Sequence, residues 1–289
     1  MRLMCAIVLV AGIALPAAAQ NERGWSFSGS FNGSSNSDGA VMKAEPVLGY
    51  TLNNHFETYA GLPFYFVNLS STPTTSTPTT ANGFASGLGN AFVGFRLNVA
   101  NDSVNYSSTV ELTAPTGDKS RGFSTGRATA DWTNRFSHKF DSFTPFGSFG
   151  IANTISDTAF FVRPFTSLGL VGHFEGGGTY DISRYFHVAG SAYAVQASGD
   201  QRIISKVARG SSASANSSSG DTSGHGKNRV FETQPETVVP SDIANDHGVS
   251  TWVSVSPKSD VDFHVGYSRS MHYDFNTVFF GVGFRLGSN

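Results

Sequence analysis

The sequence predicts an all-β protein, a transmembrane up-and-down antiparallel β-barrel of about twelve strands, and three observations carry that prediction. The final stretch sets Val278, Phe280, Val282, Phe284 and Leu286 on alternate positions, with Thr277, Gly281, Gly283 and Arg285 between them. A strand sends those two sets to opposite faces. An apolar face on a last strand invites aggregation in water, whereas a bilayer requires it: a barrel needs an apolar outer band and a last strand that closes onto the first. The same alternation recurs along the chain in segments of roughly nine to fourteen residues, suited to a tilted spanning strand and about twice the length of a typical sandwich strand. Finally, tight turns alternate with long links, as short periplasmic turns and long external loops do in such barrels.

Composition agrees with this class. Of the 289 residues, 14% are charged and 13% aromatic, with 32 glycines and a formal net charge of -2. Low charge with many aromatics argues against disorder, and the lack of a basic excess argues against nucleic acid as a partner. No internal run approaches about 18 apolar residues, so a helical membrane protein is excluded. At the start, Arg2, the apolar run Met4 to Leu15, Pro16, and Ala17, Ala18 and Ala19 have the layout of a cleavable secretory signal. The expected organisation is a signal peptide over 1–19 and one barrel domain over 20–289. The single cysteine, Cys5, lies in the signal, so the mature chain has neither a disulfide framework nor a thiolate metal site.

In order, the first segment sets Trp25, Phe27, Gly29 and Phe31 against Ser26, Ser28 and Ser30. The second, Gly39 to Leu52, opposes Ala40, Met42, Ala44, Leu48, Tyr50 and Leu52 to Lys43, Glu45 and Thr51. The third carries Phe56, Ala60, Leu62, Phe64 and Phe66 against His55, Glu57, Tyr59 and Tyr65, and the fourth carries Ala91, Val93, Phe95, Leu97 and Val99 against Asn90, Arg96 and Asn98. The fifth opposes Val104, Tyr106, Val110 and Leu112 to Asn105, Ser107, Thr109, Glu111 and Thr113. The sixth, Gly126 to His138, opposes Ala128, Ala130, Trp132 and Phe136 to Arg127, Thr129, Asp131, Thr133 and Arg135. Segments follow near Phe143 to Thr154, Thr166 to Asp181, Arg184 to Ser198 and Gly248 to Ser256. Gly176, Gly177 and Gly178 suggest a bend or bulge within the eighth. The eleventh sets Val261, Phe263, Val265 and Tyr267 opposite Asp262, His264, Gly266 and Ser268, before the final stretch.

Short links fall at Asn53 and Asn54, Ala100 to Ser103, Lys139 to Ser142, Ile182 to Arg184 and Pro257 to Ser259. Long ones fall at Asn32 to Asp38, Asn68 to Ser86, Pro115 to Thr125, Ile155 to Pro164 and Gly199 to Asp246. The last is expected to be a long flexible loop over 199–246, since its Ser- and Gly-rich part cannot bury enough apolar area to fold alone.

One link carries a pattern. Ala114, Pro115, Thr116, Gly117 and Asp118, followed by Gly122, Phe123, Ser124, Thr125, Gly126 and then Asp131, resemble the P-T-G-D and G-x-x-T-G pattern of the phenol-degradation MetA-pathway family of outer-membrane transporters. The resemblance covers about Gly87 to Gly150. It implies a barrel that passes small, hydrophobic or aromatic molecules. In physical terms Pro115 fixes φ, Gly117 and Gly122 permit tight turning, and Asp118 accepts backbone hydrogen bonds. Such a segment is either a well-made loop or a loop folded over the mouth that gates it.

On the polar face, Lys43, Glu45, Glu57, Arg96, Glu111, Arg127, Asp131, Arg135 and Arg285 are the expected lumen or constriction residues, with Arg127, Asp131 and Arg135 beside Glu111 as a ladder. These charges either pair to brace the interior or sort solutes by size and charge. Tyr59, Tyr65, Phe92, Phe146, Tyr193 and Phe279 fall on the same inward register, as interior packing or as a slide for aromatic solutes. No H-x-x-x-H or H-E-x-x-H arrangement occurs, and the one G-x-S-x-G spacing, Gly122 to Gly126, lies in a link with no helix expected after it and so is not read as a nucleophile elbow; no catalytic residue, metal site or cofactor is expected. The expectation is a passive outer-membrane channel for small solutes, with outer-membrane lipid around it. The alternatives are a non-conducting barrel that meets an external partner and an outer-membrane lipid enzyme.

Overall fold

The computed structural model describes residues 23–36, 39–69, 84–101, 103–155, 162, 165–205 and 236–287. The expected signal peptide, and the middle parts of the loops expected over 67–87 and 199–246, lie outside the described residues.

Alternation of large apolar with small or polar residues drives every wall element. The strands are β1 (Gly24–Asn36), β2 (Gly39–Thr51), β3 (Phe56–Gly61), β4 (Phe64–Leu69), β5 (Phe84–Leu88), β6 (Phe92–Ala100), β7 (Asn105–Thr113) and β8 (Thr129–Ser137). They continue with β9 (Phe143–Ala152), β10 (Phe165–Asp181), β11 (Phe186–Ser205), β12 (Glu236–Val239), β13 (Asp246–Lys258), β14 (Val261–Ser270) and β15 (Phe275–Gly287), with a single helical turn, α1 (Ser241–Ala244). All form one antiparallel sheet that closes where β1 pairs with both β2 and β15. β3 and β4 both pair with β2, and each takes one of β5 and β6 as its other neighbour, so these four strands fill two wall positions. β12 adds only to the far end of β11, which leaves a closed barrel of twelve wall strands.

Side-chain exposure follows the alternation. Phe27, Leu48, Val93, Leu112, Val265, Val278 and Phe280 stand on the outside and are exposed, while Lys43, Tyr59, Ala189, Trp252, Thr277 and Phe279 point inward and are buried. A continuous apolar outer band on this scale suits hydrocarbon, since soluble monomers rarely expose contiguous apolar patches beyond a few hundred Å². Outward aromatic pairs, Trp25 with Tyr50 and Tyr106 with Phe136, sit near the rim that carries the short turns. Polar side chains close those turns: Asn53 Oδ1 accepts from the His55 and Phe56 amides, and Asn101 Oδ1 accepts from those of Ser103 and Val104.

Three features differ from the sequence reading. The third segment is broken at Leu62 and Pro63, and its partner is broken between Leu88 and Phe92. Proline has no amide to donate to a ladder, so pairing lapses there. The glycine run Gly176–Gly178 is not a bulge: β10 passes through it in register with both β9 and β11. The irregularity lies instead between Leu168 and Leu170, where Gly169 has φ +156 and a Cβ would meet the buried Gln201 side chain. Gly177 is small for a different reason, since a Cβ there would collide with the Gly190 carbonyl oxygen and fall 2.8 Å from the Phe146 ring. Lastly, the segment expected to be loop over 199–246 is built at both ends, because β11 runs on to Ser205 and β12, α1 and the start of β13 return along it.

Candidate functional site

The interior divides lengthwise into a filled part and a hollow part. Inside β9, β11, β13 and β15, the side chains of Phe146, Ala189, Trp252 and Phe279 form one buried apolar cluster, and the Arg135 guanidinium lies 4.4 Å from the Phe146 ring centre. Toward the long-loop rim a second cluster includes Ile155, Phe165, Val171, Ile203, Ala244 and Tyr273, with α1 supplying Ala244. Aromatic rings on inward positions lie over glycines of the neighbouring strand, Tyr59 over Gly94 and Phe279 over Gly266.

Inside β1, β2, β3, β6 and β7 the lumen holds, among others, two hollows. The upper one, about 430 Å³, reaches toward the long-loop rim and is lined by Asn32, Lys43, Glu45, Tyr65, Phe92, Glu111, Phe123, Thr125, Asp262 and His264 among others. The lower one, about 690 Å³, reaches the short-turn rim at Asn53 and Asn54 and is lined by Glu45, Glu57, Tyr59, Phe92, Arg96, Glu111 and Arg285 among others. Glu45, Phe92 and Glu111 belong to both walls, so these side chains stand between the two hollows.

Charges at this junction are mostly engaged. Lys43 Nζ lies 3.1 Å from Glu45 Oε2, two residues along the same face of β2. Arg96 Nη1 donates to Glu57 Oε2 at 3.1 Å across the β3–β6 pair, and its guanidinium stands 5.1 Å from the Tyr59 ring centre. The Tyr59 hydroxyl donates to Glu111 Oε2 at 3.0 Å. Directly opposite Glu111 in the β7–β8 register stands Asp131, which accepts from Thr133 Oγ1 at 2.6 Å and lies 3.3 Å from His173 Nε2.

Of the expected lumen residues, the structure gathers Lys43, Glu45, Glu57, Arg96 and Glu111 around the junction, with Arg285 at the lower hollow. Asp131 and Arg135 share the inward face of β8, but Arg135 turns onto Phe146. Arg127 is a correction to the expected ladder. It precedes β8, is exposed, and lines a separate hollow with Asn153, Asp200, Gln201 and Arg202. The pattern that placed it inward treats Gly126 as the start of a strand, whereas Gly126 has φ +70 and turns the chain instead.

The motif link between β7 and β8 folds into the upper mouth. Thr116 Oγ1 accepts from the Ala91 amide at 2.7 Å and donates to the Gly89 carbonyl, the Gly117 amide donates to Asn90 Oδ1, and the Asp118 amide donates to the Leu88 carbonyl. Thr116, Gly117 and Asp118, following Pro115, thus brace the wall where β5 and β6 are interrupted. Asp118 closes its own turn, accepting from Ser120 Oγ at 2.6 Å and from the Ser120 and Arg121 amides. Those bonds, the Ser120 hydroxyl first, hold its carboxyl below the usual carboxylate range. Gly122, at φ +76, sends the chain inward, and Phe123, Ser124 and Thr125 are buried. The Phe123 ring stacks on Tyr65 in a cluster with Val41, Val67 and Val162. At the rim, Lys119 Nζ lies 2.9 Å from Glu236 Oε2, and Arg202 Nη1 lies 2.7 Å from Glu236 Oε1.

Sequence reasoning missed Asn32, Phe123 and the wall-bracing role of Thr116. The apolar half of the alternation stops at Phe31, which puts Asn32 in the first loop, although the inward half continues to Ser34.

No protein-family model and no curated protein matches the chain. Among solved structures it is similar to an outer membrane channel from Pseudomonas putida F1, with 12% identity over 94% of this chain and 97% of that one at a TM-score of 0.56. The NanC porin is 11% identical over 89% of this chain and 100% of its own, at a TM-score of 0.48. The toluene transporter TodX of Pseudomonas putida is 9% identical over 92% of this chain and 88% of its own, at a TM-score of 0.39. At these identities the likeness is one of fold, and it rests on the first of the three.

Proposed function

We propose that the chain is an outer-membrane channel for passive uptake of small, hydrophobic or aromatic molecules. The observation that carries this reading is the pair of hollows, one toward each rim, with only Glu45, Phe92 and Glu111 lining both. A solute would pass down its gradient beneath the motif link, between the Tyr65 and Phe123 rings and the polar wall, then through the junction into the lower hollow. The charged pairs there sort solutes by size and charge, as lumen side chains do in porins. The fold shared with the Pseudomonas putida F1 channel supports it. So does the motif resemblance, which names the solute class. No catalytic group and no cofactor enters this mechanism, and the apolar outer band supports outer-membrane lipid as the barrel's surroundings.

Reconstitution of the mature chain in planar bilayers tests the reading. Discrete current steps are expected, and solute flux into liposomes should favour toluene-sized aromatics over sugars of similar mass. A second reading, a non-conducting barrel, is favoured by the apolar filling at Phe146, Trp252 and Phe279. Absence of steps above background from well-folded protein would select it.

A further inference from the structure

Resting on the channel reading above, we infer that the upper hollow is a binding site for organic cations, specifically a protonated amine carried on an aromatic body. Three carboxylates face it, Glu45, Glu111 and Asp262, against one ammonium, Lys43, which is already 3.1 Å from Glu45. Glu111 takes its hydrogen bond from the neutral Tyr59 hydroxyl, and among the described residues no cation pairs with it. Among the described residues the ion-pair contact of Asp262 is with His264, at 3.8 Å.

An independent observation points the same way. Asn32, 3% exposed, lines this hollow and donates its Nδ2 to Ser30 Oγ, while its Oδ1 is buried with no donor among the described residues. A buried acceptor without a partner costs free energy that a ligand N–H would recover. Two carboxyl groups and one amide oxygen thus face the hollow as acceptors, beside the His264 ring, and the solute group complementary to those three is a cationic donor. The hollow's other wall is aromatic. Phe92, Tyr65 and Phe123 line it, and aromatic rings attract an ammonium and pack against a planar ring.

Titration calorimetry on the detergent-solubilised mature chain, with benzylammonium, benzyl alcohol and benzoate as probes of one shape and three charges, tests the assignment. Benzylammonium should bind about tenfold tighter than benzyl alcohol, the ratio expected of one charge-assisted hydrogen bond, and benzoate should bind least. Glu111→Gln should erase the preference for benzylammonium, and Asn32→Leu should weaken it, with benzyl alcohol affected little. Equal binding of all three probes by the parent chain, or a preference for benzoate, overturns the inference whether or not either variant folds. Binding of benzylammonium by a chain that gives no current steps would remove the channel reading and keep the site. Current steps with no charge preference among the probes would do the reverse.

Discussion

The rings of Tyr65 and Phe123 lie parallel, with centroids 5.8 Å apart, and so join the wall strand β4 to the link between β7 and β8. The contact holds the motif link inside the mouth, because Phe123 is the one large apolar side chain of that link in the cluster with Val41, Val67 and Val162. Phe123→Ala should cost about 3 kcal/mol, as for truncation of a buried aromatic, and should let the link swing out of the lumen. The urea midpoint of the folded barrel in liposomes should fall while single-channel conductance rises.

Gly117 is required by close approach. A Cβ there would stand 2.7 Å from the carbonyl oxygens of Leu88 and Phe123 and 2.8 Å from the carbonyl carbon of Gly89, all of them backbone atoms that cannot rotate away. Gly117→Ala should therefore part the motif from the wall it braces, with a loss of about 2 kcal/mol, the usual range for forced overpacking. Gly176→Ala is the control, since a Cβ there meets nothing within 4 Å. Heat-modifiability gels should show the first variant unfolding at lower temperature and the second at the parent temperature.

Asp118 gives the motif a pH dependence. Its hydrogen bonds favour the ionised carboxylate, so its folded value lies below its unfolded one. The stabilisation is full above the unfolded value, about 4, and is lost as pH falls through the lowered folded value. Amide hydrogen exchange at 118–122, corrected for intrinsic rates, should stay slow from pH 6 to about 4 and accelerate below that. Asp118→Asn should exchange faster than the parent above about pH 4 and approach it below, with no such step.

How much of this could be read in advance depended on periodicity. In β15, Val278 to Leu286 announces both the strand and its outward face, and the inward register of Tyr59, Phe146 and Phe279 follows from the same parity. Parity says nothing about continuity: Glu57, Tyr59 and Gly61 stay in phase with Tyr65 and Val67 across the break at Leu62 and Pro63, so one segment appears where two strands exist. Nor does it reach the motif link, where Phe123 is buried by a turn at Gly122 rather than by a strand. Arg127 misled for the converse reason, being in phase with Asp131 while lying outside β8.

The partly buried pair Lys43 and Glu45 should be asymmetric to mutation. Removing one partner leaves the other charge uncompensated, whereas removing both leaves an apolar surface. Lys43→Met is therefore expected to cost about 3 kcal/mol, and Lys43→Met with Glu45→Met to recover most of it, read from urea unfolding in liposomes. Equal losses in the single and double variants would show that the pair itself contributes little.

Arg96 sets the charge of the lower hollow by covering Glu57 and leaning on Tyr59. With side chains 40% and 25% exposed, the Arg96–Glu57 pair is partly screened, and its effect on a passing ion is expected to be under about 1 kcal/mol. Arg96→Gln uncovers Glu57 beside Glu111, so the lower hollow should favour cations more than in the parent. Under a tenfold KCl gradient, the cation-to-anion permeability ratio from the reversal potential should rise about two- to threefold, the factor corresponding to roughly half a kcal/mol. Glu57→Gln should move the ratio the other way, because it leaves the guanidinium facing the passage alone. A shift of the same sign in both variants would mean that this pair does not face the conducting path.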